Sequence, residues 1–257
     1  MTALRHSGYL LARDLRALLR QPWFAAITLV QPAIWLLLFG SLFKKVVQIP
    51  GFHSGSYIQF LAPGVVVMTA LFSAGWNGMA FIQEIERGVA DRLLVSPVSR
   101  GALIAGRVGQ SVVSVIIQTL VIVALALVLG APFAGGVGGV IVLILLACLL
   151  GVSFAALSNG LALLARQEET LIALVTFVTL PLTFLSTALI QKSLMPSWMR
   201  VLADINPVNW AIEAGRSAAM IHTDWGLVGT RLGMLLALAL VCGTFATRAF
   251  RSYQRSI

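Results

Sequence analysis

Six long apolar runs organise the chain, at residues 24–43, 59–82, 105–129, 137–165, 170–190 and 225–247. Each is continuous rather than alternating, and each is close to the ~20 residues a helix needs to cross about 30 Å of hydrocarbon. A helix bonds every backbone group within its own segment, so the pattern predicts membrane helices and argues against a β-barrel. Only "RQEE", residues 166–169, separates the fourth and fifth runs, which predicts a tight helical hairpin. Pro32 and Pro181 predict kinks in the first and fifth spans. The glycine-rich "APFAGGVGG" at 131–139 reads as a loose turn.

Two polar stretches interrupt this pattern. In residues 9–20, Leu11, Leu15, Leu18 and Leu19 recur at helical spacing, with Arg13, Arg16 and Arg20 on the other faces. That predicts an amphipathic helix in the membrane interface, either a simple anchor or a mechanical part. The opening residues lack a signal-peptide pattern, so the first span is expected to serve as the targeting signal.

The second stretch, "QEIERGVADRLLVSPVSR" at 83–100, holds six charged residues between two apolar runs. As a helix it would align Ile82, Ile85, Val89 and Leu93, and Arg87 could meet both Glu84 and Asp91. Gly88 permits a bend and Pro97 forces a turn. Ser99 can cap the helix that enters the third span. A rigid charged elbow shared by two spans suits a docking element; the plainer reading is a charged loop.

Composition sharpens this picture. Hydrophobic residues are 59% of the 257 and charged residues 11%, against about 25% charged in a soluble domain. The chain therefore reads as an all-α integral membrane protein. The net charge of +9 fits basic residues flanking spans better than nucleic-acid binding. With both ends in the cytoplasm, twelve Lys and Arg fall inside and five outside, which favours that orientation. Arg231, two turns into the last run, is expected to snorkel outward. Cys148 and Cys242 read as small core residues.

All nine acidic residues and all three histidines lie outside the apolar runs, so no intramembrane proton or ion relay is expected. No metal-ligand spacing appears. None of Lys44, Lys45 and Lys192 sits in a phosphate-binding loop; uphill transport would draw its energy from another protein. The pathway candidates are uncharged: Gln31, Asn77, Gln118, Asn159, Thr176, Thr179 and Thr183. For each, hydrogen bonding between helices is the structural alternative.

The stretches "QPAIWLLLFGSLF" (31–43), "YIQFLAPGVVVMTALF" (57–72), "EIERGVADRLLVSPVSR" (84–100), "LPLTFLSTALI" (180–190) and "PSWMRVLADINPVNWAIEAGR" (196–216) resemble the ABC transporter type 2 permeases. The likeness is greatest to the bacterial daunorubicin-type exporter branch. The resemblance implies six spans in a single transmembrane domain. It implies a coupling segment at 83–104, carried by Glu84, Glu86, Arg87, Gly88, Asp91, Arg92, Pro97 and Arg100. An outer or re-entrant piece at 191–224 would contain Pro196, Trp198, Asn206, Pro207 and Arg216.

The resemblance further implies a separate ATP-binding subunit holding ATP and Mg, and a second permease chain, by default a copy of this one. Trp35 and Phe39 of the first span, or the fifth span, could supply the pairing face. The expected function is export of drug- or lipid-like molecules across a bacterial plasma membrane by a subunit that is not itself an enzyme. Export of polysaccharide or lipid-linked glycan is the alternative. A passive channel, or a lipid enzyme using Asp204, Glu213, His222 and Asp224, is the more distant reading.

Overall fold

The computed structural model describes the backbone of residues 22–48, 56–86 and 100–254, and side chains within 30–48, 56–83 and 108–251. The described residues are helical throughout, without strands. In order they form α1 (Pro22–Leu42), a 3-10 turn (Lys44–Gln48), α2 (Tyr57–Gly75), α3 (Asn77–Glu86) and α4 (Arg100–Val128). There follow α5 (Gly136–Ala165), α6 (Glu168–Phe184), a 3-10 turn (Lys192–Leu194), α7 (Ser197–Ile205), α8 (Pro207–Ala219) and α9 (Trp225–Gln254). Four stretches are long and apolar enough to cross a membrane: Tyr57–Gln83, Val108–Val128, Gly136–Ala165 and Trp225–Arg251. Val30–Leu42 is a shorter apolar helix. The interfacial helix expected at 9–20, with Arg13, Arg16 and Arg20, lies outside the described residues.

α5 is the axis of the bundle. No charged residue occurs along it, and a helix apolar on every face belongs in the interior. It packs against α9, α2, α8, α4, α3 and α6. Leu143, Leu146 and Leu150 are fully buried along it. Its start corrects the expected loose turn at 131–139. A Cβ on Gly135 or Gly139 would lie 1.9 or 2.2 Å from the Ala218 carbonyl oxygen, and the Gly135 N–H donates to the Ala219 carbonyl at 3.1 Å. These glycines bring the end of α8 onto α5 by close backbone approach. At the other end the predicted hairpin is present: Arg166, at φ 55°, closes α5. Glu168 and Glu169 then occupy the first turn of α6, where acidic side chains suit the helix dipole.

Two runs expected to be continuous are interrupted. The second breaks at Trp76, between α2 and α3. The freed backbone groups are met from α5: the Ser158 hydroxyl accepts from the Gly78 N–H at 3.0 Å and donates to the Gly75 carbonyl. The Asn159 Nδ2 donates to Asn77 Oδ1 at 3.0 Å. Gly78 is required here, since a Cβ would meet the Ser158 carbonyl oxygen at 2.5 Å.

The fifth run, expected to be helical to 190, stops at Phe184. Beyond it the hydroxyl-rich "LSTALI" lets side chains compete with the helix for backbone partners. Ser186 Oγ donates to the Thr183 carbonyl at 2.6 Å and accepts from the Ala188 N–H at 3.3 Å.

Three substitutions test this packing by thermal unfolding of the purified protein in detergent. Gly139→Ala loses about 1–3 kcal/mol through forced separation of α5 and α8. Gly229→Ala, in open space on α9, is neutral or gains up to about 1 kcal/mol. Ser158→Ala strands both the Gly75 carbonyl and the Gly78 N–H, and lowers stability by about 1–3 kcal/mol.

Candidate functional site

A cavity of about 620 Å³ lies between α1, α2, α3 and α4, within the size range of sites for drug-sized ligands. α1 contributes Gln31, Pro32 and Trp35; α2 contributes Val65, Met68, Thr69, Phe72 and Ser73. Trp76 stands in the break, and Asn77, Met79, Ala80 and Gln83 continue the wall along α3. Gln110, Ser111, Ser114 and Gln118 close it from α4. Val65 to Ser73 rise about 12 Å along α2 and Asn77 to Gln83 about 9 Å along α3, so the cavity extends along both helices. Among the described residues its lining holds five amides and no ionisable side chain.

The geometry follows from the sequence locally. On α4, Ser111, Ser114 and Gln118 recur at i, i+3 and i+7, which puts them on one face. Gln31 and Trp35 share a face of α1 in the same way. Trp35 stacks on Phe39 at 4.8 Å, Phe39 on Phe43 at 5.6 Å, and Phe43 meets Tyr57 at 5.5 Å. Trp35 and Phe39 are thus engaged inside the subunit, while Ile34, Leu37 and Leu38 face outward. Ser111 is 3% exposed and Gln118 7% exposed. Ser111 Oγ and Gln118 Oε1 are buried with no hydrogen-bond partner among the described residues.

Of the seven sequence-derived pathway candidates, Gln31, Asn77 and Gln118 line the cavity. Asn159 sits behind it, bonded to Asn77 and to the Ala155 carbonyl at 2.8 Å. Thr179 and Thr183 do not line it: each hydroxyl donates one turn back along α6, to the Val175 and Thr179 carbonyls at 2.8 Å. Thr176 is half-buried on α6 and also outside the lining. Sequence reasoning passed over Trp76, Gln83, Gln110, Ser111, Ser114 and Ser158. The spacing of polar residues on the third run was the available signal for three of them.

The outer-segment residues build a brace rather than a second cavity. Pro196 precedes α7, and Trp198 on it is exposed. Asn206 caps α8, accepting from the Val208 N–H at 2.9 Å, and Pro207 is the first residue of that helix. The Asn206 Nδ2 also donates to the Leu182 and Leu185 carbonyls at 2.7 and 2.9 Å. Asn209 Oδ1 accepts from the N–H and hydroxyl of Thr187.

Arg216 donates to the carbonyls of Phe60, Thr187 and Ala188 at 3.0, 2.6 and 3.1 Å, and to Thr187 Oγ1 at 3.1 Å. Its guanidinium lies 3.5 Å from the centre of the Phe60 ring, a cation–π contact. It ties α8, α2 and the turn after α6 together.

The carboxylates considered for a catalytic site have structural partners. Glu213 pairs with Arg231 at 2.8 Å and with Lys192 at 3.6 Å, so the Arg231 head meets a carboxylate. Lys192 also pairs with Asp204. Asp224 accepts from the Leu227 N–H at 3.0 Å and caps α9. His222 is exposed. No cluster able to hold a metal occurs among the described residues.

Of the charged segment, Glu84 and Glu86 fall in the last turn of α3 and Arg100 opens α4. Arg87, Gly88, Asp91, Arg92, Pro97 and Ser99 lie outside the described residues.

Comparison with known proteins places these features in a family. Residues 6–220 match the ABC-2 type transporter family. The chain is 33% identical over 210 residues to the putative transport permease ycf38 of Cyanophora paradoxa, covering 80% of this chain and 71% of that one. It is 28% identical over 225 residues to the daunorubicin resistance ABC transporter permease protein DrrB1 of Streptomyces coeruleorubidus, covering 88% and 77%. It is also 28% identical over 228 residues to the inner membrane transport permease YadH of Escherichia coli K12, covering 86% and 88%. A bundle of apolar helices around an uncharged polar cavity is in keeping with these transport permeases, and the chain belongs to the ABC-2 type transporter family.

Proposed function

We propose that the chain is the membrane subunit of an ATP-driven exporter in a bacterial plasma membrane, moving hydrophobic or amphipathic molecules out of the cytoplasm. The observation that carries this reading is the cavity among α1–α4, because its walls combine aromatic and apolar surface with uncharged amides. Such a lining accepts a bulky amphipathic molecule. Among the described residues it offers no charge to stabilise a bare ion, which would lose its hydration without compensation. The similarity to a daunorubicin resistance permease and to an inner membrane transport permease supports the same assignment.

In this reading α1 and α6 complete six spans, both termini lie in the cytoplasm, and α7 and α8 form the re-entrant outer piece. The segment 83–104 docks on a separate ATP-binding subunit, which carries ATP and Mg, and two permease chains complete the exporter. α3 forms one wall of the cavity and leads directly into that segment. Motion of the docking segment would therefore swing α3 about the break at Trp76 and reshape the wall at Asn77, Met79 and Gln83.

Gentle affinity purification from native membranes is expected to bring down a P-loop ATPase with the parent chain. The double reversal Arg87→Glu with Arg92→Glu is expected to lose it while inserting normally. Arg87→Glu alone is expected to abolish ATP-dependent export. Retention of the ATPase and normal export in these variants would overturn the coupling assignment.

A further inference from the structure

We infer that the cavity among α1–α4 is a selective subsite for an uncharged, elongated amphiphile, one that carries hydroxyl or amide groups along one side and aromatic or apolar surface along the other. The inference rests on the reading of this cavity as the substrate path and adds the chemical class that it admits.

Three observations carry it. The first is the division of the walls. Gln110, Ser111, Ser114 and Gln118 form a polar stripe about 12 Å long on α4, while Trp35 and Phe72 supply aromatic surface from α1 and α2. Amide and hydroxyl side chains both donate and accept, so the stripe can meet a row of hydroxyls in either sense. The aromatic rings suit the flat apolar side of the same molecule.

The second is the unmet polar demand. Gln118 Oε1 and Ser111 Oγ, on residues 93% and 97% buried, have no protein partner among the described residues. Both residues line the cavity, and a small rotation of either side chain would turn its unpaired oxygen toward an occupant bearing hydrogen-bond donors. Polar groups of this kind give strong discrimination, because an analogue lacking the matching group leaves them unpaired.

The third is the absence of charge in the described lining. A carboxylate or phosphate is normally held by arginine or lysine. Neither arginine nor lysine is among the described residues that line the cavity. Against these described walls a charged group would lose hydration without gaining a counter-charge from them.

The test uses the full chain in nanodiscs and three matched probes: a 4-decyloxyphenyl glucoside, its glucuronide, and its 6-amino-6-deoxy analogue. They differ only in being neutral, anionic and cationic. Equilibrium binding is expected to favour the neutral probe at least about tenfold over each charged one, a difference of about 1.4 kcal/mol. Gln118→Leu is expected to weaken the neutral probe about tenfold and Ser111→Ala about threefold. Gln118→Asn, which keeps the amide, is expected to restore part of the loss. Variants are compared only where the protein remains monodisperse with an unchanged unfolding temperature.

Equal binding of a charged probe, an unchanged Gln118→Leu, or failure of all three probes to bind would overturn the assignment. ATP-dependent transport assayed on the same variants separates the two readings. Selective binding with transport indifferent to Gln118→Leu would uphold the subsite and sink the pathway. Transport lost in Gln118→Leu without charge discrimination would do the reverse.

Discussion

Hydrocarbon offers no hydrogen-bond partner, so wherever this chain leaves a helix inside the bundle another side chain must meet the exposed backbone. Two such places shape the molecule. At Trp76 the Ser158 hydroxyl serves a carbonyl and an N–H together. After Phe184 the demand is larger, and Asn206, Asn209 and Arg216 share it. Each brace comes from a helix other than the broken one. The interruptions therefore lock α5 to the second span and α8 to the fifth, and what would be weak points become the joints that fix helix positions.

The Trp76 joint also creates the cavity. An unbroken helix would have no reason to offer Asn77 a side-chain partner on α5, or to leave Trp76 half-exposed to the space between α1 and α4. Breaking the span gives α3 some independence from α2, while Ser158 and Asn159 keep its upper end registered on the central helix. α3 is thus anchored at one end on the central helix and runs at the other toward the charged segment. The outer brace around Arg216 has the opposite character. Its bonds reach α2 and the turn after α6 together, and Glu213 with Arg231 extends the hold to α9. The far end of the bundle is correspondingly stiff.

The hydrophobic pattern alone was enough for the helices and for the hairpin at Arg166, because apolar character is summed over many residues. The uncharged candidates Gln31, Asn77 and Gln118 were legible for the same reason: an amide in an apolar run stands out. Arg216 and Asn206 were legible as residues of a resembling motif, although their bonds were not.

The tertiary structure decided what depends on a partner far along the chain. Ser158 is an ordinary serine in an apolar run until the Trp76 break lies beside it, 80 residues earlier in the chain. Gly135 and Gly139 looked like slack in a turn; the Ala218 carbonyl pressed against them makes them a close contact. Arg231 looked bound for water because its partner Glu213 is 18 residues away on another helix. Thr179 and Thr183 looked equal to Gln118, yet their hydroxyls are satisfied one turn back, whereas Gln118 Oε1 has no partner among the described residues. The sequence by itself determined which segments form long apolar helices, since apolar surface adds up locally along a helix. Only the tertiary structure decided which polar groups are spent on the backbone and which line the cavity, since a hydrogen bond is settled by one partner at about 3 Å.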